Sequence, residues 1–140
     1  MFKKVLVAFD GSAGSTRALE AASVMVAEAG AALHALSVAE PGPRFAATVG
    51  EVDEEREAAE QHYRRLLEQA RSVAAEHGVE LDGRIVHGHA AQTIVEEARS
   101  GGYDLLVMGH SGHSGVWGQF LGTTTDKVSR HAPCSVLIVR

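Results

Sequence analysis

The chain has 140 residues, 45% of them hydrophobic, a single cysteine and a formal net charge of −5 at pH 7. This size is expected to form one domain spanning residues 1–140, burying roughly 70% of its unfolded surface without disulfides. The acidic balance, with no cluster of Lys and Arg, excludes a nucleic-acid-binding surface, and no apolar run approaches the ~18 residues of a membrane span.

The run Val5-Leu-Val-Ala-Phe9 is too short for a signal peptide and ends at an acid, so Lys4 to Asp10 is predicted as the first strand of a cytoplasmic protein. Ser15 to Ala29 places Ala18, Leu19, Ala22, Met25, Val26 and Ala29 on one helical face and stops at Gly30. Ala32 to Val38 is the second strand. Glu40 to Val52, punctuated by Pro41, Gly42 and Pro43, reads as an irregular loop that either flaps over the site or merely connects. The longest helix, about Asp53 to His77, carries the stripe Ala59, Tyr63, Leu66, Ala70, Val73 and Ala74, with Glu60 and Arg64 as an i,i+4 pair.

Glu80 to His87 forms the third strand, and Ala91 to Arg99 a helix burying Ala91, Ile94, Val95 and Ala98 before Gly101-Gly102 ends it. Tyr103 to Gly109 is the fourth strand. A helix from about Gln119 to Arg130 closes before Pro133, and Cys134 to Val139 is the last strand, with Cys134 as inert core. Several strands are nearly continuous apolar runs, which suggests coverage on both faces. The lone cysteine fits a reducing compartment.

This βαβα alternation predicts an α/β fold: a doubly wound, five-stranded parallel sheet in the order 3-2-1-4-5 with helices on both faces. Ligands bind such sheets beyond the strand ends where the order reverses, here between strands 1 and 4. Asp10 and Gly109 end those strands and would face each other across the crevice. Glycine recurs at 109, 112, 115 and 118, marking a loop that bends freely and lies close to something. Gly122-Thr123 then begins a helix. Loop amides, a helix N-terminus and hydroxyls together make an anion site, most plausibly for phosphate.

Asp10 also suits a simple helix-entry cap, given the Gly-Ser that follows. His87-Gly-His89 and His110-x-x-His113 lack the spacing and companions of a zinc site, and Trp117 reads as packing or a partner contact. There is no Gly-x4-Gly-Lys-Ser/Thr loop and no Gly-x-Gly-x-x-Gly after the first strand, so a P-loop ATPase and a dinucleotide oxidoreductase are both disfavoured.

Three segments resemble the universal stress protein family: Val5 to Leu19 with its Asp10-Gly-Ser turn, Asp104 to Gly112, and His131 to Val139. The spacing Gly109-x2-Gly112-x9-Gly122-Thr123 resembles the nucleotide motif of its ATP-binding members. The resemblance implies that Asp10 contacts ribose or base and that the Val38 backbone holds adenine. It also implies that Gly109, Gly112 and Gly122, with Thr123 and Thr124, surround the phosphates, and that Met108 belongs to the same nucleotide site. ATP with Mg²⁺ or Mn²⁺ is the implied ligand. A homodimer through Cys134 to Val139, an edge with no charge or proline to block pairing, is implied as well. The family often has an apolar residue where Thr124 stands and a basic one near His113, so a divalent ion matters more here. The expected function is a nucleotide-dependent stress-response regulator, at most a slow ATPase or autophosphorylating protein. The alternatives are a nucleotide-free dimeric adaptor and an adenylate-forming or phosphate-transferring enzyme.

Overall fold

A computed structural model describes residues 1–41, 48–111 and 121–140. The elements follow the chain as β1 (Lys4–Ala8), α1 (Ala13–Ala29), β2 (Ala32–Ala39), α2 (Val49–Glu76), β3 (Leu81–His87), α3 (Ala90–Ser100), β4 (Leu105–Gly109), α4 (Thr123–His131) and β5 (Ser135–Val139). All strand pairs are parallel, in the expected order β3-β2-β1-β4-β5.

Strand alternation divides the core in two. Val5, Val7, Leu33, Ala35, Leu105 and Val107 point to one face, where Leu19, Val26, Leu66 and Ala70 of α1 and α2 cover them. Leu6, Leu36, Leu106 and Met108 point to the other, against Ile94 and Ala98 of α3 and Val128 of α4. The central strands are therefore buried on both faces, as their apolar runs require. The last strand departs from that expectation. β5 lies at the sheet edge and is only partly covered, with Leu137 36% exposed.

Other boundaries move for local reasons. α1 starts at Ala13 because Ser12 caps it, its hydroxyl accepting from the Ser15 N–H at 3.1 Å. It ends at Gly30, whose φ of 68° is the left-handed conformation that glycine adopts without strain. Ala29 is exposed and Met25 only partly buried, so the stripe is narrower than its periodicity suggests. α2 begins at Val49, inside the stretch expected to be irregular. Thr48 and Glu51 form a reciprocal capping box, with Glu51 N–H on Thr48 Oγ1 at 3.2 Å and Thr48 N–H on Glu51 Oε2 at 3.4 Å.

Ala59 is exposed rather than buried, because nothing described lies opposite the first turns of α2; Leu67 is buried instead, against Gly83. Glu60 and Arg64 remain on the exposed face. Among the described residues α4 begins at Thr123 rather than near Gln119, which itself lies outside them. Asp10, Tyr103 and Cys134 fall just beyond the strands assigned to them. Cys134 is half-buried against the α3–α4 face, and burial pushes its thiol pKa up. No helix among the described residues is long and apolar enough to cross a membrane.

Candidate functional site

The carboxyl ends of β2, β1 and β4 open into a cavity of about 520 Å³, the size range of small-ligand sites. Asp10, Val38, Met108, Gly109, Gly122, Thr123 and Thr124 all line it. Gly112, the remaining expected site residue, lies outside the described residues, as do His113 and Trp117.

At the end of β1, Asp10 does what a helix-entry residue does and lines the cavity as well. Its Oδ1 accepts from the Ser12 N–H at 2.9 Å, and its own N–H donates to Ser15 Oγ at 3.3 Å. This turn directs the chain into α1 and leaves Asp10 exposed at the mouth.

At the end of β2 the backbone itself becomes a recognition edge. Leu36 C=O accepts from Phe9 N–H at 2.9 Å, and the β1 register ends at Ala8 opposite Leu36. Strand geometry repeats every second residue, so Val38 N–H and C=O face the same side, past the last pair of β1. Next to them Glu40 Oε1 accepts from the Ala90 N–H at 2.9 Å and so occupies the start of α3. Leu36, Val38, Ile94, Met108 and the Tyr63 ring give this end apolar walls.

The β4 end differs from its expected rationale at one glycine. Gly109 was expected to leave room for a ligand, yet its Cα faces the backbone of Gly14 in the first turn of α1. A Cβ there would lie 2.6 Å from the Gly14 carbonyl carbon and 2.7 Å from its oxygen. Close helix–strand contact is what demands the glycine, and its φ is not positive. Its carbonyl accepts from Thr125 Oγ1 at 2.9 Å, and Gly122 N–H donates to His110 C=O at 2.9 Å, fixing where α4 starts.

That start is bare. Gly122 is the N-cap of α4, with φ −58° and ψ 148° and no side chain to cap with. The first intrahelical bond is Asp126 N–H to Gly122 C=O at 2.8 Å. Among the described residues nothing accepts from the backbone N–H groups of Thr123, Thr124 and Thr125. These are the orphan donors of a helix N-terminus, carrying its positive dipole end, and they belong to a helix whose first residues line the cavity.

Sequence reasoning missed Ser12, Ser15, Glu40, Tyr63, Ser111 and Thr125 as cavity residues. Asp10-Gly-Ser was a visible capping signal, whereas Tyr63 was absorbed into a packing stripe. The described lining contains two carboxylates, Asp10 and Glu40, and no Lys or Arg. No group of three or more His, Cys, Asp or Glu among the described residues is placed to hold a metal ion.

The whole chain, residues 1–140, matches the sequence profile of the universal stress protein family. It is 36% identical over 151 aligned residues to universal stress protein YxiE of Bacillus subtilis, covering 100% of both chains. Among solved structures it is similar to universal stress protein UspA from Lactobacillus plantarum, with a TM-score of 0.87, 27% identity and coverage of 99% of this chain and 98% of that one. A universal stress protein solved in complex with cAMP superposes with a TM-score of 0.77 at 30% identity, over 99% of this chain and 97% of that one.

Proposed function

The chain belongs to the universal stress protein family, and from that premise we propose that it binds an adenine nucleotide, ATP with Mg²⁺ or Mn²⁺, in the crevice beyond β1, β2 and β4 and acts as a nucleotide-dependent regulator. The observation that carries this reading is the start of α4, uncapped among the described residues. Three consecutive amides and the hydroxyls of Thr123 and Thr124 suit phosphate oxygens, which a helix N-terminus attracts.

The other end of the cavity suits the base. Adenine presents an amino donor beside the acceptor N1, complementary to Val38 C=O and N–H; guanine presents the reverse pattern. The relative solved with cAMP supports an adenine-bearing ligand.

The described lining offers no cationic side chain to offset a triphosphate, so a divalent ion would enter with the nucleotide, held by phosphates and water, with the Asp10 carboxylate at the mouth of the same cavity. It would neutralise phosphate charge. Without a lysine aimed at the terminal phosphates, turnover is expected to be slow or absent.

Nucleotide-free protein should therefore melt higher with millimolar Mg-ATP. Binding at a hundredfold excess over Kd adds about 2.7 kcal/mol, or roughly 5–10 °C for a chain of this length. EDTA should remove most of the shift. A thermogram that does not move with Mg-ATP would count against nucleotide binding and favour the nucleotide-free adaptor.

The exposed Leu137 on β5 supports a homodimer through Cys134 to Val139, since an apolar edge strand that is only partly covered tends to recruit a second copy. Light scattering at tens of micromolar should then give twice the chain mass, and Leu137→Lys should halve it with an unchanged circular dichroism spectrum. A wild type that runs at the mass of one chain would refute the dimer and leave the nucleotide site untouched.

A further inference from the structure

We propose that the Tyr63 hydroxyl sets the base selectivity of this crevice, weakening its preference for adenine by holding the acceptor that the adenine amino group requires. The inference rests on the nucleotide reading above.

Residues 49–62 of α2 are all exposed, and Tyr63 is the first residue of that helix to reach the body of the protein. Its ring packs against the α1–α2 core and meets the His62 ring edge-on, with centroids 5.1 Å apart. Its hydroxyl reaches across to donate to Val38 C=O at 3.4 Å. That carbonyl points beyond the end of β1, where no strand partner among the described residues satisfies it, so a half-buried side-chain donor fills the gap. At 3.4 Å the bond is longer than the usual O–H···O range and is correspondingly weak.

The consequence depends on the group at C6 of the base. An adenine amino group placed at Val38 C=O must share or displace the tyrosine proton. A hypoxanthine carbonyl in the same place cannot use Val38 C=O, but it can accept the proton that Tyr63 carries. One hydroxyl thus disfavours adenine and favours the 6-oxo base. Removing it moves both affinities in the direction of greater adenine preference.

Tyr63→Phe keeps the ring and deletes only the hydroxyl. Calorimetry with Mg-ATP, Mg-ITP and Mg-tripolyphosphate reads the result. The variant is expected to bind ATP about two- to threefold more tightly, the low end of one net hydrogen bond. ITP affinity should hold or fall, and tripolyphosphate, which lacks a base, should bind as it does to the wild type. Because all three ligands meet the same folded variant, a general loosening of α2 would change tripolyphosphate binding too or move ATP and ITP together. An ATP-to-ITP affinity ratio that is unchanged or lower in Tyr63→Phe overturns the proposal while the nucleotide reading stands. A wild type that binds no nucleotide overturns both.

Discussion

Gly109→Ala is expected to destabilise the protein by roughly 3 kcal/mol and to lower its melting temperature by about 10 °C, with or without nucleotide. The added methyl would sit 2.6 Å from the Gly14 carbonyl carbon, and both surfaces in contact are backbone, so no side chain can swing away to make room. Either α1 lifts from β4 or the end of β4 shifts. Each loosens the contact that positions the Ser12 cap beside the fourth strand. Urea unfolding measures the loss. A variant as stable as the wild type would mean that the two glycines do not touch and that Gly109 serves the ligand alone.

Gly122→Asp is expected to have opposite effects on stability and on binding. Gly122 already holds the extended backbone of an N-cap, with φ −58° and ψ 148°. Ser12 (φ −67°, ψ 160°) and Thr48 (φ −71°, ψ 161°) hold nearly the same geometry and use it to cap α1 and α2. An aspartate there can accept from the first-turn amides of α4 and meets the positive end of the helix dipole. A gain of about 0.5 kcal/mol in stability is expected. The same carboxylate would occupy the donors proposed for phosphate and repel its charge, weakening ATP by about a hundredfold. Thermal melts and calorimetry on one preparation report both effects. Retention of wild-type ATP affinity by a stabilised Gly122→Asp protein would remove the start of α4 from the phosphate site.

The sheet was legible because its pattern is redundant. Val5, Leu6 and Val7 are apolar in succession, as a strand covered on both faces requires, and such strands alternate with helices stopped by Gly30 and Gly101-Gly102. The same logic overreached at β5. A run of Val, Leu and Ile looks alike whether a helix, a second copy or nothing covers it, and Leu137 is only partly covered. Ala59 was misplaced for a related reason: periodicity fixes which residues share a face and is silent on whether anything lies opposite. The start of α2 was written in Thr48-x-x-Glu51, but Pro41-Gly-Pro43 just upstream drew the loop reading across it.

At the site, the glycines and threonines stood out because few other folds need that composition after a strand. Their individual reasons did not. Gly109 answers to Gly14, 95 positions away, a neighbour that no local pattern reveals. Tyr63 and Glu40 reach the cavity from a helix stripe and a strand end that local reading assigns to packing and connection.

Amide chemical shifts of the isotope-labelled protein, followed as Mg-ATP is added to a nucleotide-free sample, test the central claim most directly. The account expects saturable changes at both ends of the crevice, Val38 on one side and Gly109 with Thr123, Thr124 and Thr125 on the other. Asp104, which accepts from Lys3 and Lys4 N–H at the opposite end of the sheet, should stay still. No shift at the start of α4 up to several millimolar Mg-ATP, or saturable shifts confined to residues outside the crevice, would contradict it.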